Sequence, residues 1–352
     1  MSAAAPVRER VDDSSQVKVA AHCAAEVARN SGFGAAAVDS IRLAATELAE
    51  NLHRHAVGGE LVIIPPVVEA DALVLVAVDR GPGVERFEVC LADGYSTIGT
   101  MGVGLGAVRR AAGRFDAVSE PGRGTVVAAS FRHDDGGRLP RRSSRAAEQV
   151  PPGPAFDIGA VGFAIAPELR NGDGWGALHR GARLVVVVAD GLGHGPAAAD
   201  ASDAVVGALV GAADRSPGEM VAAMAEAARP TRGAAVTVAT VSASDFAEGG
   251  SVAAAGLGNV ALVVLAPDGS THRGVTSPGT AGRGAPVARG ISMALPAGGT
   301  VVLHTDGLLS RWDLTGRAEL LRHDAVVVAA ALWRDFARGN DDTCVVVVGR
   351  RS

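Results

Sequence analysis

The chain has 352 residues, a length that favours two domains, each able to bury its own core. Apolar residues make up 48% and charged residues 20%, which excludes a disordered chain, and a net charge of −5 gives no electrostatic case for binding nucleic acid or an anionic membrane. Gly is abundant at 46 residues and aromatics are scarce at 3%, so Ala, Val and Gly must fill most of the core. Cys23, Cys90 and Cys344 are far apart and odd in number, which suggests neither a disulfide framework nor a zinc site. The first ten residues lack the apolar stretch of a signal peptide, and the longest apolar runs, such as residues 184–189, fall far short of a membrane span. A cytoplasmic protein with no membrane partner is expected.

Residues 16–29 and 35–55 read as helices, the second from Ile41, Leu43, Ala44, Leu48 and Leu52 at helical spacing. Residues 60–64 and 72–78 read as strands bounded by Gly58-Gly59 and Pro65-Pro66. Residues 104–112 read as a helix after a glycine loop, and residues 115–119 and 125–131 as a hairpin around Pro121-Gly-Arg-Gly124. Together these predict a two-layer α/β unit.

Three motifs in this unit carry chemistry. In Glu47-x-x-x-Asn51 a spacing of four puts a carboxylate and an amide on one helical face, a pair that can hold one Mg²⁺ and orient an attacking hydroxyl. His53 and His55 beside them read as ordinary helix residues. Asp79 ends an apolar strand, where an acceptor can read an exocyclic amino group while Gly81 and Gly83 let backbone approach the base. Gly102-Val-Gly104-Leu-Gly106 leads into a helix, and backbone N–H groups at such a start attract phosphate. No strand immediately precedes this loop, so it is not a dinucleotide fingerprint.

In this order, with Asp93-Gly-Tyr-Ser-Thr97 and Glu120-Pro-Gly-Arg-Gly-Thr125, residues 15–132 resemble the GHKL ATPase/kinase superfamily, and within it the RsbT-type serine kinases. The resemblance implies an α/β sandwich with a mixed sheet covered by helices. It also implies ATP and Mg²⁺ as cofactors, with Asn51 binding Mg²⁺ and Glu47 activating a substrate serine. Asp79 would read adenine with support from Thr125, and Gly102, Gly104 and Gly106 would cradle the phosphates. Residues 134–154, rich in Arg and Ser and ending in Pro151-Pro-Gly-Pro154, lose all periodicity and read as a solvated linker between domains at 1–133 and 155–352.

The second domain reads as short Val/Ala strands at residues 183–189, 235–242, 251–255, 261–265, 300–304 and 343–348, interrupted by helices at 196–213 and 217–228. Asp190-Gly191 follows an apolar strand, Asp306-Gly307 repeats the device, Asp173 follows Gly172, and Asp341-Asp342 precedes a strand. Four acidic sites at strand edges make an oxygen-rich site suited to two Mg²⁺ or Mn²⁺ ions, which about 3.5–4 Å apart activate water and clamp a phosphoryl group. His194, in a Gly-His-Gly turn, either contacts phosphate or shapes the loop.

The order Gly-Asp, Asp-Gly-x-Gly-His-Gly, Thr-Asp-Gly, Asn-Asp-Asp resembles the PPM-type metal-dependent Ser/Thr phosphatases, closest to their SpoIIE/RsbX branch, over residues 155–350. The resemblance implies an α-β-β-α sandwich. Asp190 would bridge the metals, the Gly191 carbonyl would help, and Asp173, Asp306 and either Asp341 or Asp342 would complete the shell. The family usually shows Asp-Asp-x-Thr at the last motif, whereas Cys344 stands here at the Thr place. The expected whole is a bifunctional partner-switching regulator. Its kinase and phosphatase would act on a small STAS-type antagonist protein, with a sigma factor or other switch protein as a further candidate partner. The alternative is a non-catalytic ATP-binding, anti-sigma-like module that controls an active phosphatase.

Overall fold

Helix α1 (Ser14–Asn30) buries Val17 and otherwise only alanines: Ala20, Ala21, Ala24, Ala25 and Ala28. Small side chains on this face let α1 lie close against α2 (Ala35–His55), which buries Ile41, Ala44, Ala45, Leu48, Ala49 and Leu52. A capping box starts α1: the Asp13 side chain accepts from the Ser15 and Gln16 N–H groups, and the Gln16 side chain reaches back to the Asp13 N–H. The computed structural model describes residues 6–66, 72–85, 104–133, 156–284 and 287–350. It divides into two units, one spanning Ala3–Pro151 and the other covering Pro152–Ser352.

The N-terminal unit has one five-stranded sheet in the order β1-β2-β3-β5-β4. Its strands are β1 (Val7–Arg10), β2 (Glu60–Ile64), β3 (Ala72–Val78), β4 (Arg114–Glu120) and β5 (Gly124–Arg132). Register places Ile63 opposite Leu75 and Leu75 opposite Ala129. One face therefore presents Leu61, Ile63, Leu73, Leu75, Ala77, Val127, Ala129 and Phe131 to α1, α2 and α3 (Gly104–Ala111). The expectation of a mixed sheet is corrected: every ladder between the described strands is antiparallel. Strand β1 was not predicted, because Val-Arg-Glu-Arg offers charge rather than apolar alternation. Its Arg8 pairs with Glu60 across the ladder at 3.4 Å.

The C-terminal unit stacks two five-stranded sheets, β13-β10-β9-β8-β7 and β12-β11-β14-β15-β6. The first contains β7 (Asp173–Arg180), β8 (Arg183–Gly191), β9 (Ala234–Ser242), β10 (Gly250–Leu257) and β13 (Gly290–Leu295). The second contains β6 (Phe156–Phe163), β11 (Ala261–Leu265), β12 (Thr271–Arg273), β14 (Thr300–His304) and β15 (Thr343–Arg350). Strand β8 is apolar from Leu184 to Ala189 because both its faces are covered there. Leu184, Val186 and Val188 meet Val346 and Val348 between the sheets. Val185, Val187 and Ala189 meet Val205, Leu209, Met220 and Met224 of the outer helices α4 (Pro196–Gly207), α5 (Leu209–Ala212) and α6 (Pro217–Ala227). The short helix α7 (Ala243–Glu248) follows β9, and α8 (Ala325–Phe336) lies against β6 and β15. At Gly159 a side chain would run into the Ala325–Val326 backbone, which sets how closely α8 approaches β6. This is the expected α-β-β-α order.

The continuous helix expected over 196–213 breaks at Ala208 into α4 and α5. Helix α8 was missed because its Val-Val-Val-Ala-Ala-Ala run is buried on nearly every side and shows no polar stripe. Among the described residues, no helix is long and apolar enough to cross a membrane.

Phe246 of α7 is fully buried and meets Phe156 edge-to-face at 5.9 Å between ring centroids. Phe246→Ala should lower stability by about 3–5 kcal/mol, read as a lower urea midpoint, since the cavity cannot refill from an alanine- and valine-rich core.

Candidate functional site

In the N-terminal unit, α2 carries Glu47 and Asn51 one turn apart, and the start of α3 arrives beside both. A Cβ at Gly104 would lie 2.8 Å from Glu47 Oε2 and 3.7 and 3.9 Å from the Asn51 amide atoms. Asn51 Nδ2 is buried and has no hydrogen-bond partner among the described residues. A buried amide left so is costly, and because amide N and O are interchangeable by a flip, it offers either a donor or an acceptor.

Strand β3 delivers Asp79 at its end. Its Oδ1 accepts the Gly81 N–H at 2.6 Å and its Oδ2 the Thr125 N–H at 3.2 Å, while the Asp79 N–H donates to the Thr125 carbonyl at 3.0 Å. The carboxylate is thereby fixed in orientation. Thr125 Oγ1 lies 2.9 Å from Ser119 Oγ, which also accepts the Val84 N–H at 2.8 Å. These bonds tie the loop after β3 to the β4–β5 hairpin. Gly83 (φ +68°) sits against the Glu120 carbonyl and Gly124 (φ +105°) against the Asp79 carbonyl, so a side chain at either would strike backbone.

Of the residues singled out here, Glu47, Asn51 and Gly104 come together, and Asp79, Gly81, Gly83 and Thr125 form a second group. Gly106 is buried in α3. Gly102, Cys90, the Asp93–Thr97 motif and the linker at 134–154 lie outside the described residues. Ser119 and Gly124 were not singled out, although Gly124 immediately precedes Thr125 in the hairpin motif. The Asn51 Nδ2 left unpartnered among the described residues, and the close approach of the Gly104 backbone to Glu47 and Asn51, fit a phosphate with its Mg²⁺.

In the C-terminal unit, Asp173 opens β7, Asp190 closes β8, and register places them directly opposite each other. Burial first, and then Asp190, push the Asp173 carboxyl well above the usual carboxylate range. Burial first, and then Asp306, Asp341 and Asp342, push Asp190 up to about 7. Asp306 is raised by burial and by Asp341, with Arg338 and a 2.7 Å hydrogen bond from Asn259 Nδ2 acting against the shift. The five carboxylates share one electrostatic neighbourhood, although among the described residues no group of three or more His, Cys, Asp or Glu side chains is drawn together closely enough to hold a metal ion as it stands. An all-oxygen, mutually repelling donor set fits hard divalent cations.

Gly191 packs against the Ala198 carbonyl, where a Cβ would collide, and its N–H donates to the Gly172 carbonyl at 3.1 Å. Asp341 and Asp342 behave differently. Asp342 is buried, its Oδ1 accepting the Ile165 N–H at 2.7 Å and its Oδ2 the Gly172 N–H at 2.8 Å. It therefore holds the β6–β7 loop. Among the described residues, Asp341 Oδ1 accepts just the Asp342 N–H, at 2.9 Å. His194 Nδ1 lies 2.9 Å from Glu168 Oε1, a partner on the β6–β7 loop that the sequence did not suggest. Cys344 points into the core between the sheets, which suits a thiol at a position where a Thr hydroxyl would need a partner.

These are two phosphate-handling folds in tandem: a kinase-like ATPase unit followed by a two-sheet phosphatase sandwich. Residues 11–131 match the histidine kinase-like ATPase domain family, and residues 180–351 match the Stage II sporulation protein E (SpoIIE) family. The serine/threonine-protein kinase RsbT of Bacillus subtilis (strain 168) is 35% identical over 104 residues, 29% of this chain and 78% of RsbT. A chain from the bacterial stressosome shares the fold at a TM-score of 0.50 with 22% identity, over 55% of this chain and 98% of its own. The phosphatase domain of Bacillus subtilis SpoIIE, solved with a regulatory fragment, aligns at a TM-score of 0.46 with 16% identity, over 82% of each chain. The chain belongs, through its N-terminal unit, to the RsbT-like histidine kinase-like ATPases and carries a SpoIIE-type, PP2C-type phosphatase domain in its C-terminal unit.

His304, beside the carboxylates at the end of β14, is buried. Trp312 Nε1, a donor only, lies 3.3 Å from its Nε2, and its Nδ1 lies 2.9 Å from the Thr305 carbonyl, which together define a neutral ring with the proton on Nδ1. Burial pushes its pKa from 6.5 down to about 4. Between these values the unfolded chain binds a proton that the folded chain refuses, so this residue's contribution to stability falls with pH through that window, by up to about 3 kcal/mol. The raised carboxylates Asp173 and Asp190 act with opposite sign. Urea midpoints at pH 7 and pH 5 should therefore converge in the wild type and diverge in His304→Gln, which favours the variant at the lower pH.

Proposed function

We propose that the chain is a bifunctional partner-switching regulator in bacterial stress or sigma-factor signalling, located in the cytoplasm. The N-terminal domain (1–133) phosphorylates a serine on a small STAS-type protein, and the C-terminal domain (155–352) removes phosphate from that or a related protein. The segment 134–154 serves as the linker, and a sigma factor or other switch protein is a second candidate partner. The single observation that carries the reading is the pairing of two unlike sites on one chain. One sets Glu47 and the unpartnered Asn51 amide beside the Gly104 backbone; the other sets Asp173 opposite Asp190.

In the first domain, Asn51 holds Mg²⁺ and Gly102, Gly104 and Gly106 receive the phosphates of ATP. Asp79, held by Gly81 and Thr125, accepts from the adenine amino group, and Gly83 keeps the loop closed on the hairpin. Glu47 takes the proton of the attacking serine, so that the rate comes from positioning and charge neutralisation. RsbT's description as a serine/threonine-protein kinase supports turnover over a purely binding role.

In the second domain, two Mn²⁺ or Mg²⁺ ions supply Lewis-acid activation of water and a clamp on the phosphoryl oxygens. Asp190, the Gly191 carbonyl, Asp173, Asp306 and Asp341 are the groups that would hold them. Asp342, whose oxygens already accept two backbone N–H groups, anchors the loop that carries Gly172 and Asp173.

With Mn²⁺, the full chain should release phosphate from a phosphoserine STAS protein, and Asp190→Ala should cut that rate by about 100-fold or more. With γ-labelled ATP, Glu47→Ala should lose label transfer to the unphosphorylated partner while retaining ATP. Undiminished release by Asp190→Ala would refute the metal role, and undiminished transfer by Glu47→Ala would leave ATP binding without Glu47 catalysis. Gly104→Ala tests the cradle independently. Ala is the better helix former, so the fold is kept, yet its methyl fills the space beside Glu47 and Asn51 and should weaken ATP binding about tenfold or more in a fluorescent-nucleotide titration.

A further inference from the structure

Thr305 lies between β14 and Asp306 and was not among the residues the sequence singled out. It is fully buried, and every polar group it has is engaged. Its N–H donates to the Cys344 carbonyl at 3.0 Å, and its carbonyl lies 2.9 Å from His304 Nδ1. Its hydroxyl accepts the Cys344 N–H at 2.9 Å. With that side filled, the hydroxyl proton has two possible acceptors, the Cys344 carbonyl at 3.5 Å and Asp173 Oδ2 at 2.6 Å. The shorter contact, to a carboxylate, takes it. The neutral ring of His304, held by Trp312, fixes the peptide that carries this hydroxyl from the other side.

We propose that Thr305 is a positioning residue for the carboxylate site: its hydroxyl ties down Asp173 Oδ2 and so presents Oδ1 to a divalent cation. The inference rests on the reading of these carboxylates as a metal site. Asp173 is buried and faces Asp190 across the ladder, so without a donor on its far oxygen it has every electrostatic reason to turn away. The 2.6 Å hydrogen bond from the Thr305 hydroxyl holds it in place. A methyl in place of the hydroxyl would fill the same volume, remove this donor and leave the Cys344 N–H unmet.

The test uses the full chain and Mn²⁺ as the probe. Calorimetric titration with MnCl₂ should show Thr305→Val binding about tenfold or more weakly than wild type, and Thr305→Ser within about threefold of it, as for other outer-shell donors to metal ligands. Thermal unfolding without metal is measured alongside. A purely structural role would lower the melting temperature of T305V and leave the Mn²⁺ affinity of the folded protein unchanged. That result, or a T305S as weak as T305V, overturns the proposal. If T305V does not fold, Thr305→Cys, of similar shape but a poor donor, is judged by the same criterion. A wild-type chain that binds no Mn²⁺ overturns the metal reading itself and this inference with it, an outcome distinct from wild-type binding that T305V retains.

Discussion

Two carboxylates directly opposite each other on adjacent strands repel, and burial strengthens the repulsion because little water is present to screen it. Asp173 and Asp190 are in that position, with Asp306, Asp341 and Asp342 near enough to add to it. Much of the C-terminal unit follows from holding them there. Strand β8 is apolar on both faces, so its end cannot drift. The β6–β7 loop is fastened by Asp342 and by Asn171, whose side chain joins the Thr343 carbonyl to the Asp173 N–H. The last turn of β14 is fastened by His304 and Trp312. None of these groups reduces the repulsion; they make escape from it costly.

The N-terminal site has the opposite character. Its side chains are few, and most of what is arranged there is backbone: glycines at 83, 104 and 124 against carbonyls or side chains, and N–H groups aimed at Asp79. Charge is not concentrated. Such a site suits a ligand that brings its own charge and its own cation, whereas the carboxylate cluster suits one that brings only phosphate. The two units thus divide the same chemistry by where the charge resides before the ligand arrives.

Much of this was legible in the sequence because the motif residues sit where strands and helices end, and ends are marked by Gly, Pro and Asp. Strands β2, β3, β8, β11 and β14 were read nearly to the residue. What was not legible depends on partners distant in the chain. Strands β6 and β7 carry Gly at 159, 162, 174 and 176, which breaks the apolar pattern, and they gain their place from α8 packing over Gly159 and α4 over Gly174 and Gly176. The sequence favoured Asp341 over Asp342 by the family order without deciding between them, since both precede the same strand; the Ile165 and Gly172 N–H groups on Asp342 distinguish them. Thr305 looked like a strand residue because its acceptor lies 132 positions away.

The place of β15 has a consequence for how the chain is made. This last strand is interior to its sheet, between β14 and β6, and the residues just before it anchor the loop that carries Asp173. The N-terminal sheet, by contrast, is complete once β5 has left the ribosome at residue 132. During synthesis the ATPase-type unit can therefore close while the phosphatase sandwich still lacks its central strand, and its long-range pairing is of the kind that forms slowly. Any chain released early, short of residue 343, would carry the first unit alone. Premature termination would not weaken the two units evenly; it would leave a molecule with the first of them alone.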